Sequence, residues 1–279
     1  MSDDEVVKSG SIVLPPLPEV LAELLSMLGR DELHGADIAR TVSRDPALAA
    51  ATLKLANSPF FGLARRVANM QDAITLIGVN AVRNMLLILG MRSALRPPEG
   101  LFDSYGFWLH ALETASAARA LMHANSRPAD EAFLAGVMHD LGKLVNACVR
   151  PDLLEQVTLN VRQYGCSWYE AEQAVGVMGH EETGALLAEA WQLPDALARA
   201  MSHHHSPSAD DPPVVHAVHI ANLIGHVARG VCEGEPAPPL NVVSWQRLTP
   251  SEADIERAVR AVRQLHGHGS EWRALLTET

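Results

Sequence analysis

Apolar residues recur at helical spacing along almost the whole of this chain of 279 residues, and no segment shows the apolar–polar alternation of a half-buried strand. The segment 81–91, AVRNMLLILGM, is apolar almost all round, which predicts a buried helix. Short breakers separate the helical segments, among them Gly78 and the sequence RPPEG at 96–100. The sequence therefore predicts an all-α fold of two helical lobes that meet at the RPPEG segment.

The same pattern divides the chain into four parts. The first residues are polar and acidic, and 1–13 are predicted to form a flexible N-terminal tail. Residues 14–100 are predicted to form the N-terminal helical lobe, and residues 101–230 the second helical lobe. Residues 231–279 contain a proline-rich loop, followed by a helical pattern at the C-terminus.

Charge and cysteine content limit the classes of function. The chain has 22 Lys and Arg against 33 Asp and Glu, a net charge of −11, which argues against a general nucleic-acid-binding protein. Cys148, Cys166 and Cys232 are widely spaced and form no CxxC pair, as expected for reduced thiols in a cytosol. There is no signal-peptide pattern and no run of about 18 apolar residues, so we expect a cytoplasmic protein without a membrane span.

Histidine is unusually concentrated in the second predicted lobe. Of the 13 histidines, ten lie between His110 and His226. The most specific segment is FLAGVMHDLGK at 133–143, in which an apolar helix ends in the pair His139-Asp140 and is predicted to stop at Gly142. A neutral imidazole binds borderline metals and a carboxylate can bridge two ions, so this pair indicates a metal site. The alternative is a structural pair in which the carboxylate fixes the imidazole tautomer.

Further candidates for the same site are spread along the second lobe. His110 lies on a helix with small neighbours, and His180 begins a later helical pattern, HEETGALLAEA. A run of three histidines at 203–205 follows a later helix, and His203 is expected to be its solvent-exposed member. Lys143, four residues after His139, could contact a phosphate group.

Two segments of the N-terminal lobe, 45–62 and 71–88, resemble the HDOD family. That family has Asp-Pro opening a helix, Asn-Ser ending it, and an Ala-Ile-x-Leu-(Leu/Ile)-Gly hinge. The matching residues here are Asp45, Pro46, Asn57, Ser58, Ala73, Ile74, Leu76, Ile77 and Gly78. The same residues also have a purely structural interpretation as caps, helix stop and hinge.

The second lobe resembles the wider HD superfamily, which holds a metal for phosphoester hydrolysis with a His, a His-Asp pair and a later Asp. The resemblance implies an HD-like helical bundle and a site for a divalent ion such as Mn, Fe, Mg or Zn. The matching residues are His110, His139 and Asp140, with Asn222 in place of the later Asp, and His180 with His204 or His205 resembles the additional histidines of the HD-GYP branch. A neutral Asn carbonyl weakens a cation site, and the Gly-Tyr-Pro signature itself is absent.

Together these features predict a bacterial HDOD signal-transduction module with a degenerate HD site. We expect it to act by binding a partner protein or a small, nucleotide-like ligand. The alternative is a metal-dependent phosphohydrolase acting on nucleotides or cyclic dinucleotides, with Asp140 and Lys143 in the catalytic site. A DNA-binding helix-turn-helix within 31–60 is a weaker alternative, because few basic residues lie there.

Overall fold

Helices make up almost all of the regular structure in the computed structural model. It describes residues 7–9, 12–28, 33–58, 61–98, 100, 102–123, 129–229 and 236–267. These residues form two units, the first comprising Pro15–Arg96 and the second comprising Val7–Leu14 with Pro97–Gly267. The predicted all-α fold class is confirmed.

In the first unit, four helices pack against one long apolar helix, α5. Helix α5 is buried on every side from Val82 to Met91, and it contacts α1, α3 and α4. In chain order its helices are α1 (Glu19–Ser26), α2 (Gly35–Val42), α3 (Pro46–Ala56), α4 (Met70–Ile77) and α5 (Val79–Ala94).

Local chemistry explains the boundaries of these helices. The Asp45 carboxylate accepts a hydrogen bond from the Leu48 backbone N–H at 2.9 Å, which caps α3 ahead of Pro46. Asn57 ends α3 and binds both the N–H and the carbonyl of Val67, each at 2.8 Å. Gly78 has a φ of 100° between α4 and α5, a conformation that favours glycine. The cap, stop and hinge chemistry of this lobe therefore shapes its fold.

The second unit is built around helix α6, which packs against α7, α13 and α15. Helix α11 packs against both α8 and α12. The helices are α6 (Ser104–His123), α7 (Ala129–Met138), α8 (Leu141–Val149), α9 (Pro151–Tyr164), α10 (Trp168–Val175), α11 (His180–Ala190), α12 (Asp195–His203), α13 (Pro213–Arg229), α14 (Val242–Leu248) and α15 (Glu252–Gly267).

A short antiparallel hairpin also belongs to the second unit. Strands β1 (Val7–Ser9) and β2 (Ile12–Leu14) pair with Val7 opposite Leu14, and β2 contacts α8. The sequence predicted no strand and assigned 1–13 to a flexible tail, so the hairpin corrects that expectation. Strands of three residues are too short to show an alternating pattern.

The role of Gly142 also differs from the prediction. It does not stop a helix: α7 ends at Met138, His139 and Asp140 form a turn, and α8 begins at Leu141. A Cβ on Gly142 would overlap the backbone carbonyl oxygen of His180. Glycine is therefore present because α8 and α11 approach each other closely here.

The segment Ala129–Val149 is long and apolar enough to span a membrane by length and composition. However, 72% of its window is buried inside the protein, where α7 packs against α6, α12 and α13. Burial of this kind is typical of the core helix of a globular unit.

Candidate metal centre

Five histidines from four places in the second unit gather around Asp140. Asp140 and His139 form the turn between α7 and α8, and His110 projects from α6. His180 is the first residue of α11, while His204 and His205 directly follow α12. Asp140, His139, His180 and His204 are between 0% and 2% exposed. Helix ends therefore deliver most of these side chains, because a turn can direct a side chain across the bundle where a continuing helix could not.

One oxygen of Asp140, Oδ1, lies beside the imidazoles of His180 and His204, and His205 lies beside His180. We call Asp140 Oδ1, His180, His204 and His205 the histidine-rich group. His180 Nε2 lies 3.3 Å from His204 Nε2 and 3.0 Å from His205 Nε2. Asp140 Oδ1 lies 3.5 Å from His180 Nε2 and 3.4 Å from His204 Nε2. One ligand atom from each of the four residues can be chosen so that all lie within 4.8 Å of one another.

The other oxygen of Asp140 faces a second set, and we call Asp140 Oδ2, His110 and His139 the lysine-paired group. Oδ2 lies 3.3 Å from His139 Nε2 and 3.8 Å from His110 Nε2. The Lys143 ammonium forms an ion pair with the same oxygen at 2.9 Å. Asp140 therefore stands between the two groups in the position of a bridging carboxylate.

Hydrogen bonds on the far side of the rings set the direction of their Nε2 atoms. His139 Nδ1 lies 2.8 Å from the Gly136 carbonyl, and His204 Nδ1 lies 3.0 Å from the Ala200 carbonyl. A carbonyl can only accept, so both Nδ1 atoms carry the proton and both Nε2 atoms present lone pairs when the rings are neutral. The carboxylate of Glu172 plays the same part for His180, at 2.6 Å from Nδ1.

Electrostatics keep the carboxylate charged and the imidazoles of His204 and His205 neutral. Burial opposes ionisation of Asp140, but its interactions with His139 and with the Lys143 ammonium outweigh burial and hold its pKa well below the usual range. Burial lowers the pKa of His204 to about 3, and burial beside His204 lowers that of His205. For His180, burial is outweighed by Glu172, so its pKa is raised. A proton on His180 and a metal ion would therefore compete for the same lone pair.

The chemistry of the pocket fits a metal ion. Buried polar atoms are normally hydrogen-bonded, yet His139 Nε2 and Asp140 Oδ1 in the pocket form no hydrogen bond within the described part of the chain. Ligands at about 2.0–2.1 Å from a tetrahedral ion lie about 3.3–3.4 Å apart. Four of the spacings in the histidine-rich group, at 3.0–3.5 Å, are close to that value.

Two other predicted residues, Asn222 and His203, and two further histidines of α13 take different positions. Asn222 is buried on α13, one turn before Gly225, and a Cβ on Gly225 would lie 3.5 Å from His110 Nδ1. His203 turns away to Asp211 at 3.0 Å and its side chain is 46% exposed, which fits its expected place at the helix end. His216 and His219 bond to Ser244 and to the His204 carbonyl, so their Nδ1 atoms are engaged outside the pocket.

Sequence reasoning missed Glu172. This residue of α10 is 2% exposed, and its Oε2 accepts from both the backbone and the ring of His180. Its other oxygen accepts from Trp168 Nε1 at 3.0 Å. Carboxylates that orient a metal-binding histidine are common, but nothing in the spacing of eight residues between Glu172 and His180 marks this one. A turn at Gly176 and the packing of α10 bring the two together.

Comparison of sequences identifies a relative that is longer than this chain. A protein of uncharacterised function from Treponema pallidum (strain Nichols) is 27% identical over 215 residues, which cover 75% of this chain and 42% of that protein. The chain therefore spans less than half the length of this curated relative.

Solved structures of similar fold cover nearly the whole chain. An HDOD domain protein of unknown function from Geobacter sulfurreducens has a TM-score of 0.74 at 24% identity, covering 96% of this chain and 93% of that one. A candidate phosphohydrolase from Shewanella amazonensis SB2B has a TM-score of 0.73 at 23% identity, covering 95% of each chain. A candidate signal-transduction protein from Marinobacter aquaeolei VT8 has a TM-score of 0.78 at 24% identity, covering 95% of this chain and 60% of that one. At these identities the likeness shows the fold alone.

The family itself is established by sequence. The profile of the HDOD domain matches residues 14–207, which is more than half of the chain. That stretch contains the helix cap at Asp45, the hinge at Gly78 and the turn at Asp140. This chain is a member of the HDOD domain family.

Proposed function

We propose that this chain is a cytoplasmic signal-transduction module that acts by binding a partner protein or a small ligand, and that it carries a divalent metal in the pocket around Asp140. The observation that supports the metal is the convergence of five imidazoles on one buried carboxylate. Burying a carboxylate and several imidazoles is unfavourable unless each is satisfied, and a cation at this point satisfies them together.

Three features favour a regulatory role over hydrolysis. Asn222 stands where the HD superfamily resemblance expects a carboxylate, which removes one negative charge from the site. His139, His180 and His204 are fully buried, so little of the pocket faces a substrate. Lys143 neutralises the Asp140 oxygen of the lysine-paired group.

Elemental analysis combined with a substrate panel tests this proposal. Protein without a His tag, purified without chelators, is expected to contain a first-row divalent metal. Mixed with nucleotides and cyclic dinucleotides in the presence of Mn or Mg, it is expected to show no turnover above background. Hydrolysis that disappears in His139→Ala contradicts the regulatory part of the proposal, and protein that binds no metal contradicts the metal-binding part.

The second candidate is a metal-dependent phosphohydrolase, and the placement of Lys143 favours it. Its ammonium lies 2.9 Å from Asp140 Oδ2 and its side chain is 11% exposed, at a point where it could hold a phosphate oxygen. A bound ion would polarise a phosphoryl oxygen and acidify a water molecule. If only the missing carboxylate disables the site, Asn222→Asp is expected to raise metal affinity and to give measurable phosphodiesterase activity.

A further inference from the structure

The two sides of Asp140 differ in a way that bears on how many ions the pocket holds. The histidine-rich group provides three imidazole Nε2 atoms and Asp140 Oδ1, four ligand atoms in all. The lysine-paired group provides two imidazoles and Asp140 Oδ2, and that oxygen is already paired with the Lys143 ammonium. Both groups thus have the same carboxylate, and the Lys143 ammonium is paired with the oxygen that belongs to the lysine-paired group.

We propose that the pocket binds a single ion, in the histidine-rich group, and that Lys143 takes the place of a second ion. This inference rests on the proposed metal-binding function and specifies which residues carry it. A second ion next to the ammonium would meet a like charge at contact distance, and Asn222 adds no negative charge to offset the repulsion.

The ligand set also determines the class of ion. Three imidazoles and one carboxylate suit a borderline transition ion such as Zn²⁺ or Co²⁺, whereas Mg²⁺ prefers an octahedral shell of oxygens. Four protein ligands complete a tetrahedral shell, as in structural zinc sites, while catalytic sites keep one position open. The bound ion would tie the α7–α8 turn to the start of α11 and the end of α12. We therefore expect the ion to stabilise the second unit and not to activate a water molecule for hydrolysis.

Two histidines of the 203–205 run provide a matched pair for the test. His205 is half-buried and points its Nε2 at His180, whereas His203 is bound to Asp211 outside the pocket. His205→Ala is therefore expected to lose the ion and His203→Ala to keep it. His110→Gln changes only the lysine-paired group, so it is also expected to keep the ion.

The experiment measures bound Zn²⁺ or Co²⁺ per chain in tag-free protein after dialysis, together with the melting temperature with and without the ion. The native chain and the His203→Ala and His110→Gln variants are expected to bind one ion and to melt at higher temperature when loaded. His205→Ala is expected to bind none and to show no rise, while its melting temperature without metal stays near that of the metal-free native chain. The double variant Lys143→Met, Asn222→Asp is expected to bind two.

The outcomes separate this inference from the proposed function. Two ions in the native chain, or an ion kept by His205→Ala and lost by His110→Gln, overturn the single-ion inference while the metal-binding function stands. One ion in the double variant shows that Lys143 and Asn222 do not limit the stoichiometry and overturns their assigned role. No ion in any variant contradicts the metal-binding function itself.

Discussion

Helix α5 of the first unit buries an unbroken apolar run from Met85 to Met91, whereas helix α7 of the second unit runs into a buried carboxylate surrounded by imidazoles. The first core is held by removal of apolar surface from water, which responds little to ions or to moderate changes of pH. The second core also contains buried charged and polar groups. These groups destabilise the fold unless each has a hydrogen-bond partner, an opposite charge or a metal ion. The contrast predicts that metal and acid act mainly on the second unit.

Shortening a side chain of the apolar core should give the largest loss in the free energy of unfolding. Leu86 is fully buried in α5, so Leu86→Ala is expected to lower the free energy of unfolding by about 2–5 kcal/mol through lost burial and a cavity. Urea denaturation measures the loss, which should be the same with and without Zn²⁺. A loss that Zn²⁺ changes would contradict the contrast between the two cores.

Disturbing the close approach of α8 and α11 in the second unit should give the next largest loss of stability. Gly142→Ala would drive a Cβ into the His180 carbonyl, so α8 and α11 must separate at a cost of about 3 kcal/mol. We also expect weaker Zn²⁺ binding, because His180 moves with α11. The matched control is Gly90→Ala in α5, where the added Cβ meets the buried Leu21 side chain of the first unit. Equal losses of Zn²⁺ affinity in the two variants would argue against a local cause.

The orienting carboxylate should affect metal affinity more than stability. Glu172→Gln removes the charge beside His180 Nδ1 and is expected to weaken Zn²⁺ binding about 10–100-fold. Competition with a chelator measures the dissociation constant. Glu189→Gln, on the exposed side of α11, is the control and should leave it unchanged. If both variants bind Zn²⁺ like the native chain, Glu172 does not position the ligand.

Acid should weaken the second unit through Asp211, outside the pocket. Burial opposes its ionisation, but bonds from His203, Arg199 and Ser208 hold its pKa below the usual value. A depressed carboxylate pKa stabilises the fold above the unfolded value of about 3.9, and this contribution is lost as the pH falls. Asp211→Asn is therefore expected to cost about 1–3 kcal/mol at pH 7, with a smaller difference from the native chain below about pH 4.

Urea denaturation of Asp211→Asn and of the native chain at pH 7, 5 and 3.5 measures that difference. Hydrogen exchange at α12 and α13 shows whether the loss is confined to the second unit. A difference that stays constant over the whole pH range would mean that the charge of Asp211 contributes nothing.

Much of the first unit follows from local rules in the sequence. Asp45 before Pro46, Asn57 after α3 and Gly78 between α4 and α5 act on neighbouring backbone groups, so their roles can be predicted without knowing the fold. In the second unit the histidine candidates could also be listed. Glu172 and the short hairpin could not, because no local pattern marks them.

By itself, the sequence determined the helical class, the helix boundaries at Asp45, Asn57 and Gly78, and the set of ligand-type side chains, since each depends on residues within a few positions of one another. Only the tertiary structure decided that His180 and His204 lie beside one oxygen of Asp140 while Lys143 pairs with the other. It also decided that Gly142 allows a close contact between helices and does not end one. These relations join residues up to 65 positions apart, and the packing of α8, α11 and α12 sets them, so no periodicity in the chain could reveal them.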